Sequence, residues 1–229
     1  MKKVILTLSA LLAITTFVSA QYKPSEGFTA EVNFRPFNAN PISINYLKAR
    51  MFLSEKMAIR LGLSLNTTNS STKVAGAALS DPIQETVNKF FVFGLYPGIE
   101  MHYGNYERLS PYFGAEINFE MKSASTTISN NGNIQNDKLE CTGIWADNTN
   151  PAYTAVGFNL LTGVDFYVYK GLYMGAELGF GLSTFSFKEI KVSSTVAATS
   201  VTSTISTPGA KLSNFGVAFN PAIRLGWAF

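Results

Sequence analysis

From Asn214 to Phe229 the chain alternates without a break. Phe215, Val217, Phe219, Pro221, Ile223, Leu225, Trp227 and Phe229 share one phase; Asn214, Gly216, Ala218, Asn220, Ala222, Arg224, Gly226 and Ala228 share the other. A period of two sends successive side chains to opposite faces of a strand. Soluble sandwich strands alternate too, but they are rarely this long.

Seven further segments read the same way, giving approximate strands at 27–36, 42–53, 57–66, 90–102, 110–122, 154–168, 172–185 and 213–229. Their apolar phases include Phe28/Ala30/Val32/Phe34, Met57/Ile59/Leu61/Leu63/Leu65 and Phe113/Ala115/Ile117/Phe119/Met121. The second is less regular: Leu47, Ala49, Met51 and Leu53 fit one phase, whereas Ile42 and Ile44 fall on the other. A bulge near Tyr46, or a shorter strand, accounts for that.

The connections also alternate. Ser54-Glu55-Lys56, Tyr103 to Leu109 and Tyr169-Lys170-Gly171 are short, whereas 67–89, 123–153 and 186–212 are long and rich in Ser, Thr, Asn and Ala. The connection near 37–41 is the short exception. Short turns at one end and long loops at the other are the pattern of an outer-membrane barrel, with both termini and the turns in the periplasm and the long loops outside. The expected fold is all-β: an eight-stranded antiparallel up-and-down transmembrane β-barrel, with ten strands as the alternative. The extra pair in that alternative comes from 190–206, a Ser/Thr/Val/Ala-rich stretch that either extends the last hairpin above the membrane or adds two strands.

Composition supports this. Charged residues are 14% of the chain, against roughly 25% in ordinary globular proteins. With 46% hydrophobic and 13% aromatic residues, the chain is neither disordered nor a basic nucleic-acid binder. Residues 1–20 read as a cleaved signal peptide: Met1-Lys2-Lys3, an apolar stretch to Val18, and Val18-Ser19-Ala20 before Gln21. Residues 21–229 then form the barrel domain. Removing Lys2 and Lys3 from 18 basic residues leaves 16 against 15 acidic ones, so net charge points to no anionic partner. The single cysteine, Cys141, cannot form an intramolecular disulfide.

The phase opposite the apolar one carries the strand charges. Glu31, Glu100, Glu116, Glu120, Asp165 and Glu177 face Arg35, Lys48, Arg50, Arg60, Lys122 and Arg224. On a lipid face, an Arg or Lys near midplane costs roughly 2–4 kcal/mol. Inside a narrow barrel the same groups can pair across strands, and the equal numbers suggest an internally neutralised lumen rather than a pore selecting one sign. The expected structural network is Glu31, Lys48, Arg50, Arg60, Glu100, Glu116, Asp165, Glu177 and Arg224, with Glu177, Arg224 and Glu31 in one layer joined by Lys48 or Arg50. Inward glycines such as Gly62, Gly98, Gly175 and Gly226 leave room for long side chains, or permit the twist of a small closed sheet.

In these features the chain resembles the small OmpA/OmpX-type outer-membrane barrels. Leu109-Ser110-Pro111-Tyr112-Phe113-Gly114-Ala115-Glu116 looks like the strand-opening pattern of outer-membrane barrels of the Bacteroidota, a Gram-negative group. Arg224-Leu225-Gly226-Trp227-Ala228-Phe229 looks like the C-terminal signal read by the barrel-assembly machinery, with Trp227 and Phe229 as its aromatic members. The resemblance carries no function-bearing motif. With the chain ending at Phe229, no appended peptidoglycan-binding domain is expected.

A catalytic reading needs a nucleophile and usually a histidine base. His102, the only histidine, falls beside a short turn, and the Ser-rich loops lie at the other end. A Ser–His pair is therefore expected to be split by the membrane thickness. Glu116 and Glu120 on one strand are better explained by ion pairing. Cys141 and His102 fall at opposite ends, and Asp137 and Asp147 lack the spacing of a calcium loop. No catalytic, metal or cofactor site is expected. Trp145 is the candidate loop contact: it either anchors a protein or glycan partner or packs over the barrel mouth. The functional expectation is a non-enzymatic envelope or surface-interaction protein, or an accessory subunit of an outer-membrane complex, whose partners are outer-membrane lipid, the assembly machinery and a loop-bound protein or glycan. A narrow or gated pore is the alternative reading, and a lipid-modifying enzyme the third.

Overall fold

The computed structural model describes residues 23–24, 26–34, 42–104, 106–219 and 223–229. Residues 1–20, Arg35 and the connection at 37–41 lie outside the described residues. Twelve strands run in chain order as β1 (Gly27–Phe34), β2 (Ile42–Ser54), β3 (Met57–Val74), β4 (Gln84–His102), β5 (Leu109–Ser129), β6 (Lys138–Thr142), β7 (Tyr153–Tyr169), β8 (Leu172–Phe187), β9 (Ile190–Val196), β10 (Val201–Thr207), β11 (Lys211–Phe219) and β12 (Ile223–Ala228).

Antiparallel pairing takes β1 through β2, β3, β4, β5, β7 and β8 to β11 and β12, and β12 pairs back onto β1. β11 and β12 together make one barrel strand: β8 carries Leu178 opposite Phe219 and Gly175 opposite Arg224. The two halves differ in register by two residues, an even number, so the same phase stays inward. The ring is thus an eight-stranded antiparallel barrel. Among the described residues the ring closes through the β1–β12 pair, and closure is what a lipid environment demands of backbone N–H and C=O groups.

The side chains are sorted inside out. Arg50 and Arg60 are each 1% exposed, whereas Phe113 is 59% and Ile117 56% exposed. A chain in water would reverse that order. The turns form by local rules: at Lys170-Gly171 both residues take positive φ, 36° and 84°, the two-residue hairpin geometry that matches strand twist. The second segment contains the irregularity its phases require. Val32 lies opposite Leu47, but Asn33 lies opposite Ser43.

Two expectations need correction. The stretch at 190–206 does not enlarge the ring: β9 pairs with β10 and β6, and β6 pairs with β5, all outside the closed barrel. The ten-strand alternative is therefore set aside. Much of the sequence expected as loop is also ordered strand, since β3 continues to Val74, β4 begins at Gln84 and β5 reaches Ser129. In these extensions of β3, β4 and β5 both faces are mostly polar, so the hydrophobic period fades while hydroxyl and β-branched residues keep the backbone extended. The result is a wall of β3, β4, β5, β6, β9 and β10 rising from the loop end of the barrel.

Candidate functional site

The inward phase places nine charged side chains in one cluster. Arg50 Nη1 donates to Glu100 Oε2 at 3.0 Å and to Asp165 Oδ2 at 2.6 Å. Arg224 Nη2 donates to the other Asp165 oxygen at 2.7 Å, and its Nη1 to Glu31 Oε1 at 3.2 Å. Lys48 Nζ lies 3.0 Å from Glu31 Oε1 and 3.3 Å from Glu177 Oε2. Arg60 Nη1 then meets Glu177 Oε2 at 2.7 Å and Glu100 Oε1 at 2.9 Å. The path closes on itself as an eight-membered cycle in which cation and carboxylate alternate. Glu116 hangs from it through Arg60 Nη2 at 3.0 Å. With Glu116 of β5 included, every strand of the ring contributes.

Further contacts fix these groups. Tyr173 donates to Glu31 Oε2 at 2.9 Å, and Tyr112 donates to Glu177. The Arg50 guanidinium lies 4.9 Å from the Tyr173 ring centroid, and that of Arg224 5.4 Å from the Tyr112 ring. Gly175 leaves the space for this arrangement. A Cβ there would sit 2.5 Å from Asp165 Oδ1 and 2.6 Å from Arg224 Nη2. Arg224 meets Glu177 more distantly, at 3.8 Å.

Nearer the loop end the lumen holds a second polar group. Tyr96 and Tyr153 both donate to Glu120, and Tyr46 meets Tyr96 edge-to-face at 5.4 Å. Lys122 Nζ donates to Asn150 Oδ1 at 3.0 Å and lies 5.2 Å from the Phe90 ring centroid. The segment 143–152 turns over this end: Trp145 Nε1 donates to the Lys89 carbonyl at 2.9 Å, and its ring lies 5.8 Å from that of Phe90. Of the two readings of Trp145, the contacts are those of packing over the mouth. Its neighbour Asp147 is exposed, and hydrogen bonds from the Thr149 hydroxyl and N–H hold its carboxyl below the ordinary range.

At the turn end the structure brings together a constellation that the sequence reading separated. His102 Nδ1 lies 2.8 Å from Ser110 Oγ, and His102 Nε2 lies 3.3 Å from Glu100 Oε2. Ser110 opens β5 on its inward phase, and the hairpin sets His102 opposite Tyr112, so Ser110 is a diagonal neighbour. Pairing across the short turn was the available signal. These are the residue types of a serine–histidine–carboxylate triad, but Ser110 and Glu100 are fully buried and His102 is 3% exposed. Phe52 and Tyr112 pack on the imidazole at 5.1 and 5.2 Å. A nucleophile needs room for a carbonyl carbon beside it, and Glu100 is already engaged by Arg50 and Arg60. The arrangement can hold a histidine in place; it offers no route for a substrate.

The remaining sequence candidates lie elsewhere. Trp227 stands on the outward phase between Ala30 and Leu172, and the Phe229 N–H donates to the Phe28 carbonyl at 2.8 Å. Cys141 is buried in β6, whose partner Thr126 faces inward on β5. Residues 36–229 match the OmpA-OmpF-like porin family. No curated protein matches the chain.

Proposed function

The chain belongs to the OmpA-OmpF-like porin family of outer-membrane barrels, and from that premise we propose that it is a non-enzymatic barrel with a filled lumen. In this reading the barrel is an anchor. The polar wall at the loop end makes the contacts of an envelope or surface-interaction protein, with a protein or glycan partner, or of an accessory subunit in a larger outer-membrane complex. Residues 1–20 direct export, and Trp227 and Phe229 are read by the assembly machinery.

One observation carries the proposal: the closed cycle of Arg50, Arg60, Arg224 and Lys48 with Glu31, Glu100, Asp165 and Glu177. A conducting lumen needs a continuous water path and a lining whose sign selects the solute. Here the charged groups engage one another across the barrel, as an eight-stranded interior filled by side chains requires. The family description names porins, so conduction is the reading to test against. Purified barrel in planar bilayers is expected to show no stable unitary conductance. Reproducible unitary steps from the wild-type chain would replace the filled-anchor reading with the pore.

A further inference from the structure

The outward face at the loop end carries a row of side chains fixed by register. Asn69 on β3 lies opposite Lys89 on β4, Lys89 opposite Ser125 on β5, Ser125 opposite Thr142 on β6, and Thr142 opposite Lys191 on β9. The odd-numbered positions of β3, β4 and β5 here are opposite in phase to inward Arg60, Glu100 and Glu116, and no register shift interrupts the β3–β4 ladder. The next row toward the membrane zone is Thr67, Phe91 and Ser123, and below it come Leu65, Phe93 and Met121. The row therefore sits where the apolar band of the barrel ends. A concavity of about 820 Å³ takes in Lys89, Thr142 and Lys191 together with Phe91, Met121 and Lys188, and its lining extends to Lys122 and Tyr153 of the loop-end lumen.

The charge of this surface is one-sided. Lys89, Lys188 and Lys191 are exposed. Glu189 is the carboxylate lining the same concavity, and it lies 3.3 Å from Lys191. Among the described residues no ion pair engages Lys89 or Lys188. Glu140, one row further out, is held by Lys138 at 2.8 Å. Ammonium groups and hydroxyls above an apolar floor suit an amphiphile whose head is anionic and rich in acceptors, and phosphate is the group that combines both. A zwitterionic head would bring its own cation among three lysines. Lys89 and Lys191 stand three strands apart, roughly 14 Å at the ordinary strand spacing. That is wide enough for a head bearing two phosphate groups.

The geometry points to a binding site for a phosphorylated lipid of the outer leaflet. Its phosphates lie against Lys89, Lys188 and Lys191 and the intervening hydroxyls of Ser125 and Thr142, and its acyl chains follow Phe91 and Met121 into the apolar band. This rests on the reading that the barrel spans the outer membrane with its loop end outward.

The test uses the full chain in phosphatidylcholine nanodiscs, plain or doped with a diphosphorylated disaccharide lipid, followed by native mass spectrometry of retained lipid. A parallel sample in neutral detergent receives inorganic phosphate alone. The wild type is expected to retain the diphosphorylated lipid selectively, and the triple variant Lys89→Gln/Lys188→Gln/Lys191→Gln to lose about tenfold in apparent affinity. Lys138→Gln/Lys211→Gln should bind as the wild type does. Equal retention by wild type and triple variant, equal loss in the Lys138/Lys211 control, or equally tight binding of inorganic phosphate would each overturn the proposal. Insertion is read separately, by heat-modifiable migration and protease protection. A chain that fails to insert overturns the membrane reading, whereas one that inserts and shows no preference overturns this site alone.

Discussion

Glu31 of β1 and Arg224 of β12, 193 residues apart in the chain, meet at 3.2 Å across the seam where the barrel closes. The contact belongs to a cycle, so removing either partner leaves buried charge uncompensated. Breaking one side of such a pair costs typically about 3–5 kcal/mol, even though the intact pair need not stabilise relative to an apolar core. Arg224→Ala should therefore destabilise the detergent-folded barrel by that order, read as a lower urea midpoint. Glu177→Ala in the same chain should add less than its single effect, because both substitutions break the same cycle. Strict additivity would separate the two residues energetically.

Gly175 gives a steric test of the same cluster. A side chain there would press on Asp165 Oδ1 and Arg224 Nη2, both held by their mutual hydrogen bond. Gly175→Val should destabilise by about 1–3 kcal/mol, the usual range for overpacking a filled interior. Gly216 offers the internal comparison, because a Cβ there meets nothing within 4 Å. Gly216→Val should leave the urea midpoint nearly unchanged, and a similar loss at both positions would mean that strand twist, not space, sets the requirement.

How far the sequence revealed this depends on where each feature lies. The inward charges were legible because a period of two is strict wherever one face meets lipid. Which charge meets which was legible only in part: strand heights put Glu31, Glu177, Arg224 and Lys48 in one layer, where they meet, but the links of Asp165, Glu100 and Arg60 were not readable. Pairing depends on register, and register here includes a jump between Val32 and Asn33 and a two-residue offset between β11 and β12. Ser110 beside His102 was hidden for a simpler reason: the chain's serines crowd the long loops, while this one opens a strand just past the short turn. The wall of β6, β9 and β10 was legible only in part: 190–206 reads as two strands, with Ile190, Val192, Val196, Val201 and Ile205 on one face, but that they pair with each other and with β6 outside the ring depends on register. Its cross-strand partners are pairs such as Ser193–Thr204 and Thr195–Thr202, whose hydroxyls hydrogen-bond at 2.9 Å.

Trp145 tests how the segment over the mouth is held. Its indole N–H is engaged by the Lys89 carbonyl, and its ring rests on Phe90. Trp145→Ala removes both contacts and should raise the rate of limited proteolysis within 143–152. Trp145→Phe keeps the ring contact and loses one hydrogen bond, a net loss of about 0.5–1.5 kcal/mol, and should be cut at an intermediate rate. Unchanged cleavage in both variants would show that Ile144, Ala152 and the Ala146 N–H to Thr126 bond hold the segment without the indole.

Cys141 reports on the wall itself. The thiol is buried in β6, a five-residue strand between β5 and β9, and burial pushes its pKa above the ordinary thiol value. The thiolate is the reactive form, so a maleimide should label the folded chain slowly and the urea-unfolded chain fast. The sign of the pH dependence follows from the raised value. The contribution of the neutral buried thiol to stability is fully present below the unfolded-state pKa and is lost as pH rises through the higher folded-state pKa. Labelling of the folded chain should therefore accelerate over a more alkaline range than that of the unfolded chain. Cutting the chain between β9 and β10 should leave that profile in place, because β9 still covers β6. Deleting 190–207 should bring labelling close to the unfolded rate while heat-modifiable migration of the barrel persists. Slow labelling after that deletion would mean that β5 alone shields the thiol, and that the β6–β9 pairing does not hold the wall together.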